Sequence, residues 1–237
     1  MTESLELIFC GDIHGELRKL VWSLVYSKKL SNINVICLGD FGMGFGKPRY
    51  FFDLLYQKIS NRLEKNNITI YALRGNHDDP TYFDGNHDYP RLKFIKDYEV
   101  FELSGLRILP IGGASSVDRN WRVKFNEKMK NLGSSKRSWW KEERPIQVST
   151  KQLPNKVDII ISHEAPLSFE PVIVRESGLD EDIYNNILED RHYLDSILKE
   201  VVAKYWFHGH YHRSTSGSYG DLLYRGLNIN ELYCLYV

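Results

Sequence analysis

The 237-residue chain carries 31 Lys and Arg against 31 Asp and Glu, a formal net charge of +0, with 42% hydrophobic and 26% charged residues. That balance excludes a disordered, tail-rich chain and provides no global field to recruit nucleic acid or an anionic membrane surface. The length suits one domain spanning residues 1–237, and no apolar run approaches the roughly 18 residues needed to span a bilayer. Cys10, Cys37 and Cys234 lie in apolar runs without CxxC spacing. With no leader pattern at the N-terminus, they point to buried thiols in a reducing, cytoplasmic setting.

In chain order, the apolar run Leu5 to Cys10 reads as a buried strand that ends on a glycine turn and delivers Asp12 and His14 just beyond its carboxyl end. Glu16 to Lys29 has helical spacing. Asn34 to Leu38 is a second strand, ending in Gly39-Asp40. Arg49 to Lys65 reads as a helix, and Ile68 to Leu73 as a third strand, ending in Arg74-Gly75-Asn76-His77-Asp78. A β-α-β-α-β order with right-handed crossovers places these three strand ends on one rim of a parallel sheet.

The pattern then changes. Lys93 to Ile95, Val100 to Leu103 and Arg107 to Ile111 are short strands. Residues 112–156 read as an irregular, basic insertion or lid containing Trp121, Trp139 and Trp140. Between Gly113 and Pro145 there are nine Lys or Arg against four acids, whereas Glu164 to Asp190 holds eight acids and Arg175 alone. Val157 to Ser162 is a strand delivering His163. Asn186 to Lys204 is a helix, and Tyr205 to Phe207 a strand leading to His210 and His212. Leu222 to Tyr224 and Leu232 to Val237 close the chain as strands.

An Asp-x-His pair alone is common, and a helix-capping Asp12 beside a loop histidine would explain it. What overturns that reading is recurrence. Five strand ends deliver Asp12 with His14, Asp40, Asn76 with His77, His163, and His210 with His212. Oxygen and imidazole ligands without thiolates suit Mn, Fe, Zn or Ni, and eight such groups divide naturally between two ions. His87 and His192 read as surface histidines, and His208 as support for its loop.

Asp12-x-His14, Gly39-Asp40, Gly75-Asn76-His77-Asp78, His163 and Gly209-His210-x-His212 resemble, as an ordered set, the signature blocks of the calcineurin-like metallophosphoesterases. The resemblance implies an α/β fold, a four-layer α/β/β/α sandwich of two mixed sheets flanked by helices. It implies two divalent transition-metal ions, Mn foremost. Asp12, His14, Asp40 and His212 would hold one, and Asp40, Asn76, His163 and His210 the other. Asp40 would bridge, with a bridging hydroxide as nucleophile. His77 would protonate the leaving oxygen, oriented by Asp78.

The implied substrate is a small phosphorylated molecule, a mono- or diester. Nuclease or cyclic nucleotide phosphodiesterase activity is the alternative, and a non-catalytic scaffold is disfavoured by the complete ligand set. Gly11 to Gly15 and Arg74 resemble the protein serine/threonine phosphatase branch. However, Phe41-Gly42-Met43-Gly44 stands where that branch carries Val-Asp-Arg-Gly, so its phosphate-gripping arginine is absent. Gly112-Gly113-Ala114, Asp118-Arg119, Trp139-Trp140 and Glu142 are similar to small bacterial and phage members. Arg119 and Arg122 are expected substrate contacts, and Arg74 is either a third or, with at least equal weight, half of a helix-flanking salt bridge.

Overall fold

The computed structural model describes residues 5–48, 50–169 and 179–236. The expected helix start at Arg49, the strand end at Val237 and the middle of the acidic run, 170–178, lie outside these residues.

In chain order the strands are β1 (Leu5–Cys10), β2 (Ile33–Cys37), β3 (Ile68–Ala72), β4 (Leu92–Phe94), β5 (Phe101–Leu103), β6 (Leu106–Ile111), β7 (Ile159–Ser162), β8 (Tyr205–His208), β9 (Thr215–Tyr219), β10 (Leu222–Gly226) and β11 (Leu232–Tyr236). The helices are α1 (Leu17–Trp22), α2 (Tyr50–Lys65), α3 (Arg119–Asn131) and α4 (Glu181–Glu200). One sheet has the order β11-β1-β2-β3-β4 and the other β5-β6-β7-β8-β10-β9. Both are mixed. The centre of each is parallel, whereas β11 pairs antiparallel with β1, β5 with β6 and β9 with β10.

Side-chain alternation along the strands builds the layers. Ile8 and Cys10 of β1 face outward, into a core closed by Leu17, Leu20 and Val21 of α1 and Phe52, Tyr56 and Ile59 of α2. Leu7 and Phe9 face inward, meeting Ile159, Ile161 and Phe207 of the second sheet. There the Phe9 and Phe207 rings stack at 3.9 Å. Ile160 and Trp206 face the far side and pack beneath Leu194, Ile197 and Leu198 of α4. The result is the expected four-layer α/β/β/α sandwich.

Four local readings need correction. The first helix becomes a π-helical turn at Ser23–Ser27. Helix α4 begins earlier than expected, because Asp180 caps it by accepting from the Asp182 amide and acidic residues fill its first turn. Strand β9 went unread because Thr-Ser-Gly-Ser-Tyr carries no apolar alternation. Residues 112–156 are not wholly irregular, since α3 runs through them. Its core-facing residue is a buried arginine, Arg122, so no apolar period marks it. Among the described residues, no helix is long and apolar enough to cross a membrane.

Candidate metal centre

The loops after β1, β2, β3, β7 and β8 meet at the carboxyl ends of the central strands of both sheets. Four of the site's own residues carry backbone strain. His14, Asp40, His210 and His212 all adopt positive φ, 46°, 45°, 70° and 52°, although none is glycine. Residues held in such conformations cost of order 1–3 kcal/mol each and persist where surrounding structure over-determines them. Two glycines permit the close packing. A Cβ on Gly75 would lie 2.3 Å from Asp40 Oδ1, and one on Gly209 would lie 2.3 Å from Asp12 Oδ1.

Asp12, His14, Asp40 and His212 each place one ligand atom within 4.8 Å of the others. Nε2 of His14 lies 3.0 Å from Nε2 of His212, and that atom lies 3.1 Å from Asp12 Oδ2. Asp12 is fully buried, and among the described residues its Oδ2 has no regular hydrogen-bond donor, only the His212 ring nitrogen beside it. An orphaned buried carboxylate oxygen facing two imidazole nitrogens fits a divalent cation.

On the other side of Asp40, His163 Nε2 sits 3.2 Å from Asp40 Oδ1 and 2.9 Å from Asn76 Oδ1. Its Nδ1 lies 2.8 Å from the Leu38 carbonyl. Donation from Nδ1 there fixes the neutral-ring tautomer that leaves the Nε2 lone pair free to meet a cation. Burial works against the charged ring, but the Asp40 carboxylate prevails and pushes the His163 pKa up to about 10. Burial likewise opposes ionisation of Asp40, yet His163, His77 and His14 hold its carboxyl well below the usual range. His210 packs edge-on to His163, with ring centroids 4.9 Å apart. Burial and the neighbouring His163 bring its pKa down to about 3.

Three supporting residues were missed in the sequence. Asn76 Nδ2 donates to Ser116 Oγ at 2.9 Å, and that hydroxyl donates to the buried Glu143. This chain turns the Asn76 carbonyl oxygen toward His163. Glu164 is fully buried, and its Oε2 lies 3.7 Å from His210 Nε2. Its other oxygen accepts from the Ala165 amide and the Tyr211 hydroxyl. Glu164 directly follows His163, and an acid next to a ligand was the available signal. Ser116 and Glu143 carried none, because they meet Asn76 only through the fold.

The expected catalytic and substrate-binding residues divide differently. Asp78 does not orient His77. Its buried carboxylate accepts from the amides of Phe41, Gly42, Met43 and Gly75, tying the second loop to the third. Burial and Asp40 push its pKa up to about 7 against those donors. His77 is at the site, with its Nε2 3.7 Å from Asp40 Oδ2, and Arg122 Nη2 donates to that same nitrogen. Burial brings the His77 pKa down to about 4; Asp40 opposes the shift and Arg122 adds to it.

Arg122 also donates to the Asn76 carbonyl at 3.1 Å and ion-pairs with Asp118 at 2.6 Å. Arg74 is not a phosphate contact. It is 2% exposed, pairs with Asp97 at 2.8 Å and donates to the carbonyls of Gly112, Glu142, Glu143 and Arg144. Arg119 is half-buried in the first turn of α3. It adds to the Asn120 and Asp182 hydrogen bonds that hold the Asp180 carboxyl low. His192 is exposed, His87 pairs with Asp84 at 2.9 Å, and His208 is buried with Nδ1 3.1 Å from the Gly209 carbonyl.

The family model for calcineurin-like phosphoesterases matches residues 5–214. Lariat debranching enzymes of Drosophila pseudoobscura pseudoobscura and Drosophila melanogaster are 24% and 23% identical over 225 residues. Those alignments cover 85% of this chain and 41% and 42% of the relatives, so the chain spans about two fifths of their length. Among solved structures, the anchor in the inner membrane complex of Plasmodium is similar at TM-score 0.40 and 14% identity, covering 95% of this chain and 72% of that one. A phosphopantetheinyl hydrolase from Mycobacterium tuberculosis is similar at TM-score 0.36 and 12% identity, covering 95% and 91%.

Proposed function

The chain belongs to the calcineurin-like phosphoesterase family, and from that premise we propose that it hydrolyses phosphate mono- or diesters using two divalent transition-metal ions. The observation that carries the reading is the place of Asp40 between two donor sets. One oxygen lies 3.2 Å from His163 Nε2, and the other lies 3.8 Å from His14 Nδ1. A carboxylate so placed can serve two ions at once, the arrangement of two-metal phosphate chemistry. Asp12, His14 and His212 complete one set; Asn76, His163 and His210 complete the other. Mn suits these donors, as do Fe, Zn and Ni.

The ions, when bound, supply Lewis-acid activation of water and positive charge for the phosphoryl oxygens. The chain's own residues do the rest. Ser116 and Glu143 orient Asn76, and the Leu38 carbonyl orients His163. Glu164 backs His210, which leaves Nδ1 of that ring for a ligand role. Arg122 is the cation for a phosphoryl oxygen, and its move to substrate frees His77 Nε2 to take up a proton from solvent and pass it to the leaving oxygen. The deciding experiment joins metal analysis with a panel of monoesters and diesters assayed with Mn²⁺, Ni²⁺, Zn²⁺ and Mg²⁺. Two ions per chain and metal-dependent turnover are expected. A single ion, or no turnover of any ester, overturns the reading.

A further inference from the structure

Beside the metal site lies a pocket of about 220 Å³ that the reaction scheme above leaves unused. His14 and His77 form its inner end, Phe45, Phe51 and Phe52 its walls, and Lys47 reaches into it. Phe45 stacks on His77 with ring centroids 4.6 Å apart and planes at 18°, so the aromatic wall continues directly from the site. Phe51 stands edge-on to Phe52 at 6.1 Å and is 38% exposed, while Phe52 is 2% exposed. Lys47 Nζ lies 5.3 Å from the Phe51 ring. The loop carrying Phe45 is anchored from outside, where the Gly46 amide donates to the Arg137 carbonyl at 2.6 Å.

From this geometry we infer that the pocket takes a planar aromatic ring carried by the ester substituent of the substrate. A phosphoryl group held at the metal set sits next to His14 and His77, and the substituent that leaves past His77 enters the space between the phenylalanines. The three phenyl walls offer nothing to a sugar hydroxyl or a positively charged chain, which would lose water against them without replacement hydrogen bonds. A flat ring gains offset-stacked and edge-to-face contacts. The volume is below the roughly 300–1,000 Å³ of drug-sized ligand pockets, which suits one ring system and not a long chain. The Lys47 ammonium selects a ring whose edge or outer substituent carries partial or full negative charge.

The inference rests on the phosphoesterase reading, and the test separates the two. Calorimetric titration of the Mn²⁺-loaded protein with methylphosphonate, 2-cyclohexylethylphosphonate and 2-phenylethylphosphonate needs no turnover and holds the phosphonate group constant. The phenyl compound should bind about threefold to tenfold tighter than the cyclohexyl one. Phe51→Ala should bring that ratio close to one, while Trp22→Ala, on the exposed outer side of α1, should keep it. If methylphosphonate binds and the phenyl group adds nothing, or if its advantage survives Phe51→Ala, the ring pocket is wrong and the phosphoesterase reading stands. If methylphosphonate itself does not bind, the phosphoesterase reading fails and this inference falls with it.

Discussion

The Arg122 guanidinium donates from Nη2 to His77 Nε2 and from Nη1 to the Asn76 carbonyl, and it packs 5.3 Å from the centre of the Phe45 ring. One side chain from α3 thereby links the expected proton donor, the backbone of a proposed metal ligand and the wall of the neighbouring pocket. A nitrogen that accepts from arginine carries no proton, so the ring is neutral here with its proton on Nδ1. Proton donation from Nε2 therefore requires Arg122 to change partner when substrate arrives and Nε2 to take up a proton from solvent.

That coupling gives a two-part kinetic prediction. His77→Ala should slow hydrolysis of alkyl phosphate esters by about 10²–10⁴-fold, the usual worth of general acid catalysis. It should slow p-nitrophenyl esters much less, because their leaving oxygen needs little protonation. Arg122→Leu should instead raise KM for both ester types through loss of a phosphoryl contact. Equal rate losses on both esters in His77→Ala, at unchanged metal content, would assign His77 to binding.

Ser116 and Glu143 make a prediction about metal retention without touching metal. The Ser116 hydroxyl accepts from Asn76 Nδ2 and hands its own proton to Glu143, so Ser116→Ala frees the amide to rotate. Loss of such supporting hydrogen bonds typically weakens metal affinity by about 10- to 100-fold. Titration with a competing chelator should show one of the two ions lost preferentially. If both bind as in the parent protein, the hydroxyl is not what orients Asn76.

Arg74 tests the correction to the expected substrate contacts. Removing one partner from a buried ion pair typically costs about 3–5 kcal/mol, because the other charge stays buried. Asp97 is that partner here, and it also accepts from the Gly112 amide at 2.8 Å. Arg74→Met should therefore lower the urea midpoint sharply, while the folded fraction keeps its KM. A raised KM in protein of unchanged stability would return Arg74 to the substrate.

Four of the five strand ends were legible as an apolar run followed by glycine and a metal-type side chain, as at Cys10-Gly11-Asp12 and Leu38-Gly39-Asp40, whereas His163 follows Ser162 with no glycine between. The layers were legible through the family resemblance alone, because Leu7, Ile8, Phe9 and Cys10 are all apolar and only the fold sends Leu7 and Phe9 to one core and Ile8 and Cys10 to the other. Helix α3 was not, since a helix that buries Arg122 against His77 and Asn76 answers to polar contacts that exist only in the fold. Asp78 misled for a related reason. The family resemblance implied that it orients His77, whereas its carboxylate turns inward to four backbone amides.

The Asp40 and His163 pair sets the pH response of the metal-stripped protein. His163 is raised from 6.5 to about 10, by Asp40 against the cost of burial, so its contribution to stability is complete below about pH 6.5 and is lost as pH rises through about 10. Asp40 is lowered well below 3.8, so its contribution is present above that value and is lost as pH falls through its folded pKa. The metal-stripped protein should therefore be most stable between these limits and weaken on the alkaline side. On the proposed ligand set, metal binding needs neutral His163 and ionised Asp40, so loading releases a proton and removes the alkaline loss. Urea midpoints of stripped and Mn²⁺-loaded protein should diverge steadily between about pH 6.5 and 9.5. Calorimetric heats of metal binding should also vary with the ionisation enthalpy of the buffer across that window. Midpoints that stay parallel, with buffer-independent heats, would mean that His163 is already neutral before the metal arrives, and the ion pair with Asp40 would then contribute nothing to the empty site.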